Sequence, residues 1–157
     1  MTGDQQIHEE MHRPQPVAVM EATLTVAAIG PWLAEAFGAV ATAVAAQGIA
    51  LAGPPFARYR HDGDGTFTVE AGFPVGTAIA DAGPVRPGEL PGGSTAVMIH
   101  IGPYEAMEPA YAAVHAWIDD HGGTPSGPPW EVYLSDPAEQ PDPTTWQTRI
   151  VQPYRPA

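Results

Sequence analysis

The chain has no cysteine and no lysine. The first absence excludes a disulfide framework, thiolate metal ligands and a cysteine nucleophile. The second leaves six arginines against eighteen carboxylates, a formal net charge of −12. Such a surface repels nucleic-acid backbones, whose binding depends on Lys and Arg neutralising phosphate, so no direct nucleic-acid binding is expected. It favours solubility and attracts cationic ligands. No uninterrupted run of about 20 apolar residues reads as a membrane span, and Met1 to Pro16 lacks the apolar centre of a signal peptide. Ser-His-Asp spacing and a glycine-rich nucleotide loop are missing too. These absences predict a soluble cytoplasmic protein without a membrane partner, cofactor or metal. Glycine and proline are abundant, but an apolar fraction of 44% predicts a packed domain rather than disorder.

What the chain does have is an internal repeat. Gly53-Pro54-Pro55-Phe56-Ala57-Arg58-Tyr59 returns 74 positions later as Gly127-Pro128-Pro129-Trp130-Glu131-Val132-Tyr133. The same shift superimposes Leu33 on Met107, Ala36 on Ala110, Phe37 on Tyr111, Val40 on Val114, Val44 on Ile118 and Gly48 on Gly122. A duplication predicts two similar halves with a ligand cleft at the seam. The expected organisation is a disordered tail over 1–14 and one domain over 15–157, with halves of about 15–83 and 84–157.

Pro31 suits the first position of a helix and Gly48 its left-handed cap, so the first helix is predicted between them, with Leu33, Phe37, Val40 and Val44 buried. Its copy runs from Pro103 to His121 or Gly122, with Met107, Tyr111, Val114 and Ile118 on the matching stripe. β-Branched runs precede both helices, Val17 to Ile29 and Ser94 to Ile101; strands starting at Phe56 and Trp130 follow them, then strands near Phe67 to Val75 and Trp146 to Gln152. Asp62-Gly63-Asp64-Gly65 is a turn within the first pair. The order strand, helix, strand, strand predicts an α+β fold: duplicated β-α-β-β units with pseudo-twofold symmetry, an antiparallel or mixed sheet and both helices on one face. Val85 to Leu90 could add a strand in the linker, and Asp136 to Pro143 reads as a second disordered segment.

His8-Glu9-Glu10-Met11-His12 matches the H-E-x-x-H pattern of zinc proteases. That chemistry needs a packed helix and a third ligand, whereas this pentapeptide lies in a polar tail stopped by Arg13-Pro14. It reads as a chance match. The residues that break the internal symmetry are more informative. Phe37 becomes Tyr111, Ala57 becomes Glu131 and, with a shift of 72, Ala28 becomes His100 and Trp32 becomes Tyr104. Strand alternation places Glu131, Tyr133 and Ser135 on one face and Trp130, Val132 and Leu134 on the other, the apolar trio being expected to meet the helices. By the same rule Phe56, Arg58 and Arg60 would face the first helix, an awkward requirement for two arginines. A carboxylate between Trp130 and Tyr133 could floor an aromatic cage that selects cations. His100 reads as a structural histidine, and Tyr104 and Tyr111 as helix-packing residues or ligand contacts.

His100-Ile101-Gly102-Pro103-Tyr104-Glu105-Ala106-Met107, Ala110-Tyr111, Trp117-Ile118, His121-Gly122, Gly127-Pro128-Pro129 and Glu131-Val132-Tyr133-Leu134-Ser135-Asp136-Pro137 together resemble the second half of the GyrI-like (gyrase-inhibitor-like) small-molecule-binding family. Gly53 to Tyr59 and Val69 to Val75 resemble its first half, so the likeness covers about residues 16 to 153. The resemblance implies the duplicated fold, with a cleft holding the glutamate that matches Glu131 and aromatic residues matching Tyr133, Tyr104, Tyr59 and Trp130. The family includes effector-binding domains of multidrug-responsive regulators, stand-alone binding proteins and hydrolases of cyclopropane-bearing genotoxic natural products. It therefore implies a stand-alone binder of flat, apolar, often cationic drug-like molecules. The alternatives are a hydrolase using Glu131 to activate water with Tyr104 and Tyr133 as hydrogen-bond donors, or an effector-binding subunit that signals to a separate regulator.

Overall fold

Alternating apolar residues dominate Gln15–Thr25, which forms strand β2, and its pairing with β4 (Thr66–Pro74) ends where Thr25 lies opposite Thr66. Helix α1 (Val26–Ala46) takes over at that point. The computed structural model describes residues 7–136 and 139–157, which divide into two compact units, Pro14–Pro91 and Met1–Arg13 with Gly92–Ala157.

In the α1 unit, β3 (Phe56–His61) pairs with β4, β4 with β2, and β2 with β5 (Arg86–Leu90), every pair antiparallel. The linker run Val85 to Leu90 does supply that added strand. Helix α1 begins five residues before Pro31, which lies inside it; Val26 to Ile29 is β-branched in part, but no partner strand extends past Thr66 to hold it extended. Ala36, Val40 and Val44 are the helix's buried stripe, and Val40 and Val44 pack with Ala18, Val75, Ile79 and Val85. By length and composition alone α1 could cross a membrane, which corrects the expectation that the sequence holds no such stretch.

In the α2 unit, β6 (Gly93–Ile101) and β9 (Gln147–Arg155) are central, with β8 (Trp130–Tyr133) on β9 and β1 (His8–His12) on the far side of β6. The short β7 (Thr124–Pro125) also pairs with β9, and all pairs are antiparallel. Helix α2 (Glu108–Asp120) is preceded by a 3-10 turn at Tyr104–Ala106, so the helix predicted from Pro103 starts later. Pro109 near its first turn and Glu108 at its N-terminus suit that start. Ala110, Val114 and Ile118 pack on Ala96, Met98, Ile150 and Tyr154. The repeat's Gly127 is fixed through its carbonyl, which accepts from the Nε2 of the buried Gln152 at 2.9 Å.

Strand β1 corrects the expectation of a disordered tail over the described part of 1–14. Its pairing puts His8, Glu10 and His12 on one face of the sheet. Glu10 accepts from Arg149 Nη2 at 2.8 and 2.9 Å and lies 2.7 Å from His8 Nε2 and 3.0 Å from His12 Nε2. A strand separates the two histidine backbones by about 13 Å, and both rings are committed to Glu10, so the helix that H-E-x-x-H chemistry needs is replaced by an ion-pair clasp. Burial opposes ionisation of Glu10, but hydrogen bonds from His12 and His8 and the Arg149 guanidinium outweigh it and hold the carboxyl at about 2. Its contribution is therefore complete above the ordinary value of 4.5 and is lost as pH falls toward 2. Glu10→Gln is expected to speed hydrogen exchange at the amides of β1 and leave the α1 unit unchanged; equal exchange in both proteins would show that Glu10 does not hold the strand. The acidic loop Asp136 to Pro143, also expected to be disordered, falls partly outside the described residues; Asp142 caps a 3-10 turn at Pro143–Thr145 by accepting from the Thr144 amide at 3.0 Å.

Candidate functional site

Strand pairing decides which face each candidate side chain takes. Glu131 lies opposite Ile150 and Tyr133 opposite Thr148, and Ile150 belongs to the core under α2. Glu131 and Tyr133 therefore face the helix, and Trp130 and Val132 face away from it. This reverses the expected orientation of the apolar trio. It also removes the difficulty in the first copy: Ala57 and Tyr59 share the face of Phe73, which meets Phe37 of α1 edge-on at 5.9 Å, while Arg58 turns to the other face and binds Glu70 at 2.6 Å. No arginine has to snorkel.

The Glu131 carboxyl accepts from Tyr111 of α2 at 2.5 Å through one oxygen and from Tyr133 at 2.8 Å through the other. Phe37 and Ala57, which match Tyr111 and Glu131 in the repeat, are apolar; the two changes thus belong to one hydrogen bond. Burial raises the carboxyl above its ordinary range, opposed by the bonds from Tyr111 and Tyr133 and by the positive charge His100 can carry. The site thus holds a carboxyl whose charge is costly without a cation beside it.

Aromatic rings continue outward from this carboxyl. Tyr104 meets Tyr133 at 5.7 Å in an edge contact and Trp146 at 4.9 Å, tilted by 32°. Tyr104 remains 39% exposed, so this stack presents an aromatic face to solvent. Burial and the negative charges of Glu131 and Asp136 raise its hydroxyl, which keeps it a neutral donor. Gly102 makes the turn into this segment, with φ of 134° and its amide donating to the Trp146 carbonyl at 2.8 Å; a side chain there would be strained. His100 Nε2 bonds the Pro103 carbonyl at 3.1 Å and sits opposite Thr148.

The structure thus brings Glu131, Tyr133, Tyr111, Tyr104 and His100 together in the α2 unit. Trp130 is buried on the opposite face, its ring 6.2 Å from His12. Tyr59 lies in the α1 unit, where its ring meets Phe67 edge-on at 6.5 Å. Trp146 was not singled out in the sequence, because its place beside Tyr104 depends on how the loop after β8 returns to β9. Its indole Nε1 donates to the Gln140 carbonyl at 2.6 Å, which fixes the ring.

No curated protein matches this sequence. Among solved structures, the fold is shared with EcmrR in its DNA complex, at 18% identity and a TM-score of 0.81, where 97% of this chain covers 58% of that one. The C-terminal domain of EcmrR alone matches over 98% of its length, with a TM-score of 0.79 and 18% identity. SAV2435 bound to tetraphenylphosphonium matches at 14% identity and a TM-score of 0.69, covering 96% of this chain and 94% of that one. A hydrolase from Listeria innocua matches at 14% identity and a TM-score of 0.68, over 96% and 92% of the two chains. At such identities these likenesses establish the α+β fold. The model of the GyrI-like small molecule binding domain matches residues 5–155, and the chain belongs to that family.

Proposed function

We propose that this domain binds flat or bulky aromatic cations, with Glu131 as the countercharge and Tyr104, Tyr133 and Trp146 as the aromatic surface. The observation that carries this reading is the carboxyl itself: it is raised by burial, held in place by two tyrosine hydroxyls and flanked by exposed aromatic area. A cation placed there relieves the cost of the buried charge and gains from the ring faces. The net charge of −12 raises the local concentration of cations. SAV2435, with the same fold, holds a ligand of this chemistry.

Calorimetric titration with tetraphenylphosphonium and with neutral triphenylphosphine oxide tests the reading. The cation is expected to bind at least about tenfold tighter, the equivalent of roughly 1.4 kcal/mol. Equal affinities would leave the aromatic surface without an electrostatic partner and reject the reading.

A further inference from the structure

Thr148 lies at the centre of a polar row, between His100 and the Tyr133 of the proposed cation site, and has no role in that site as described. Its Oγ1 is fully buried and, among the described residues, has no hydrogen-bond partner. Leaving a hydroxyl in that condition is costly, whereas valine has nearly the same shape and carries no such penalty. Tyr133 stands directly opposite it on β8 and His100 directly opposite it on β6. All three project from the same face as Glu131. Glu131 pairs with Ile150, two residues from Thr148 along β9, so the two residues are diagonal neighbours on one sheet face, about 7–8 Å apart along the backbone.

The turn that leads into α2 bridges the two neighbours of Thr148. The Pro103 carbonyl is bonded to His100 and the Tyr104 ring rests on Tyr133. That turn is a single 3-10 turn with a partly exposed tyrosine, the kind of element that opens locally at low cost.

Resting on the cation-binding reading above, we propose that a ligand stacked on Tyr104 shifts this turn at its Pro103 end, and that Thr148 then donates a second polar contact to the ligand. The site then selects aromatic cations that also carry a hydrogen-bond acceptor, such as a carbonyl oxygen, on one ring. A para-acetyl group on one ring of a tetraarylphosphonium supplies such an oxygen.

Titrating the full chain with tetraphenylphosphonium and with (4-acetylphenyl)triphenylphosphonium tests this. The wild type is expected to bind the acetyl compound about tenfold tighter, in keeping with one satisfied buried donor. Thr148→Val should bind tetraphenylphosphonium as the wild type does and lose the tenfold advantage, while Thr148→Ser, which keeps the hydroxyl, should retain it. An unchanged or higher thermal midpoint for Thr148→Val confirms that the fold survives the substitution. If both phosphoniums bind but the acetyl group gives no advantage, or the advantage survives in Thr148→Val, this inference is overturned and the cation site stands. If neither phosphonium binds the wild type, both fall.

Discussion

Replacing Glu131 by glutamine is expected to weaken tetraphenylphosphonium binding by at least about thirtyfold, the lower end of the roughly 2–5 kcal/mol that removing one partner of a desolvated charge pair costs. The glutamine amide can still accept from Tyr111 or Tyr133, so the surroundings of the side chain survive and the loss reports the charge. The pH dependence should change with it. Burial raises the folded-state carboxyl above the ordinary value of 4.5, so the folded protein holds this proton more tightly than the unfolded chain. The resulting stabilisation is complete below 4.5 and is lost as pH rises through the folded-state value. Above the folded-state value the ionised carboxylate is a net cost to the fold, and Glu131→Gln should be the more stable protein there and lose that advantage in acid. Cation binding has the opposite sense: it favours the carboxylate, strengthens as pH rises through the same window and releases a proton. Calorimetry in two buffers of different ionisation enthalpy reads that proton directly. A glutamine variant that kept the affinity and the pH slope would remove Glu131 from the site.

Trp130→Ala should produce the largest loss of stability among the aromatic candidates, about 3–5 kcal/mol by urea denaturation. The ring is 3% exposed and sits on the sheet face away from Glu131 and α2. Trp130→Phe preserves most of that packing and should leave tetraphenylphosphonium affinity within about twofold, since the ring lies on the sheet face opposite Glu131. Tyr133→Phe supplies the contrast, because it removes a donor to Glu131 and should alter binding more than it alters stability. A tenfold loss of cation affinity in Trp130→Phe would restore Trp130 to the aromatic cage that the residue order alone suggested.

These two substitutions separate adjacent residues with opposite duties, and the distinction depends on one binary choice. A strand with period two labels two faces but does not say which is covered. Trp130, Val132 and Leu134 form the more apolar set, and apolar sets usually meet helices. In this chain the helix-facing set includes Glu131 and Tyr133 because α2 presents Tyr111 to receive the carboxyl. The opposite face is occupied by the Trp130 ring and, in the same unit, by the Glu10 and Arg149 clasp. Hydrophobicity ranked the faces; long-range hydrogen bonding and charge pairing assigned them.

Local chemistry by itself determined the α+β class, a helix between strands in each half, the buried Val40, Val44, Val114 and Ile118 of the two helices, and the two departures from the repeat, at positions 111 and 131, that meet in one hydrogen bond. All of these are written in short-range periodicity or in the comparison of one half with the other. Leu33, Phe37 and Tyr111, expected on the same stripes, are only partly buried, and Ala36 and Ala110 take the remaining buried positions. The tertiary structure alone decided the rest. It began α1 at Val26 rather than Pro31 because the pairing of β2 with β4 stops at Thr66, and it drew His8–His12 into a sheet beside Arg149, a residue 139 positions from Glu10. It placed Trp146 on Tyr104 and left the Thr148 hydroxyl, between Tyr133 and His100, without a hydrogen-bond partner among the described residues. Each of those outcomes is set by strands pairing across distant parts of the chain, where residues have no local pattern to announce their partners.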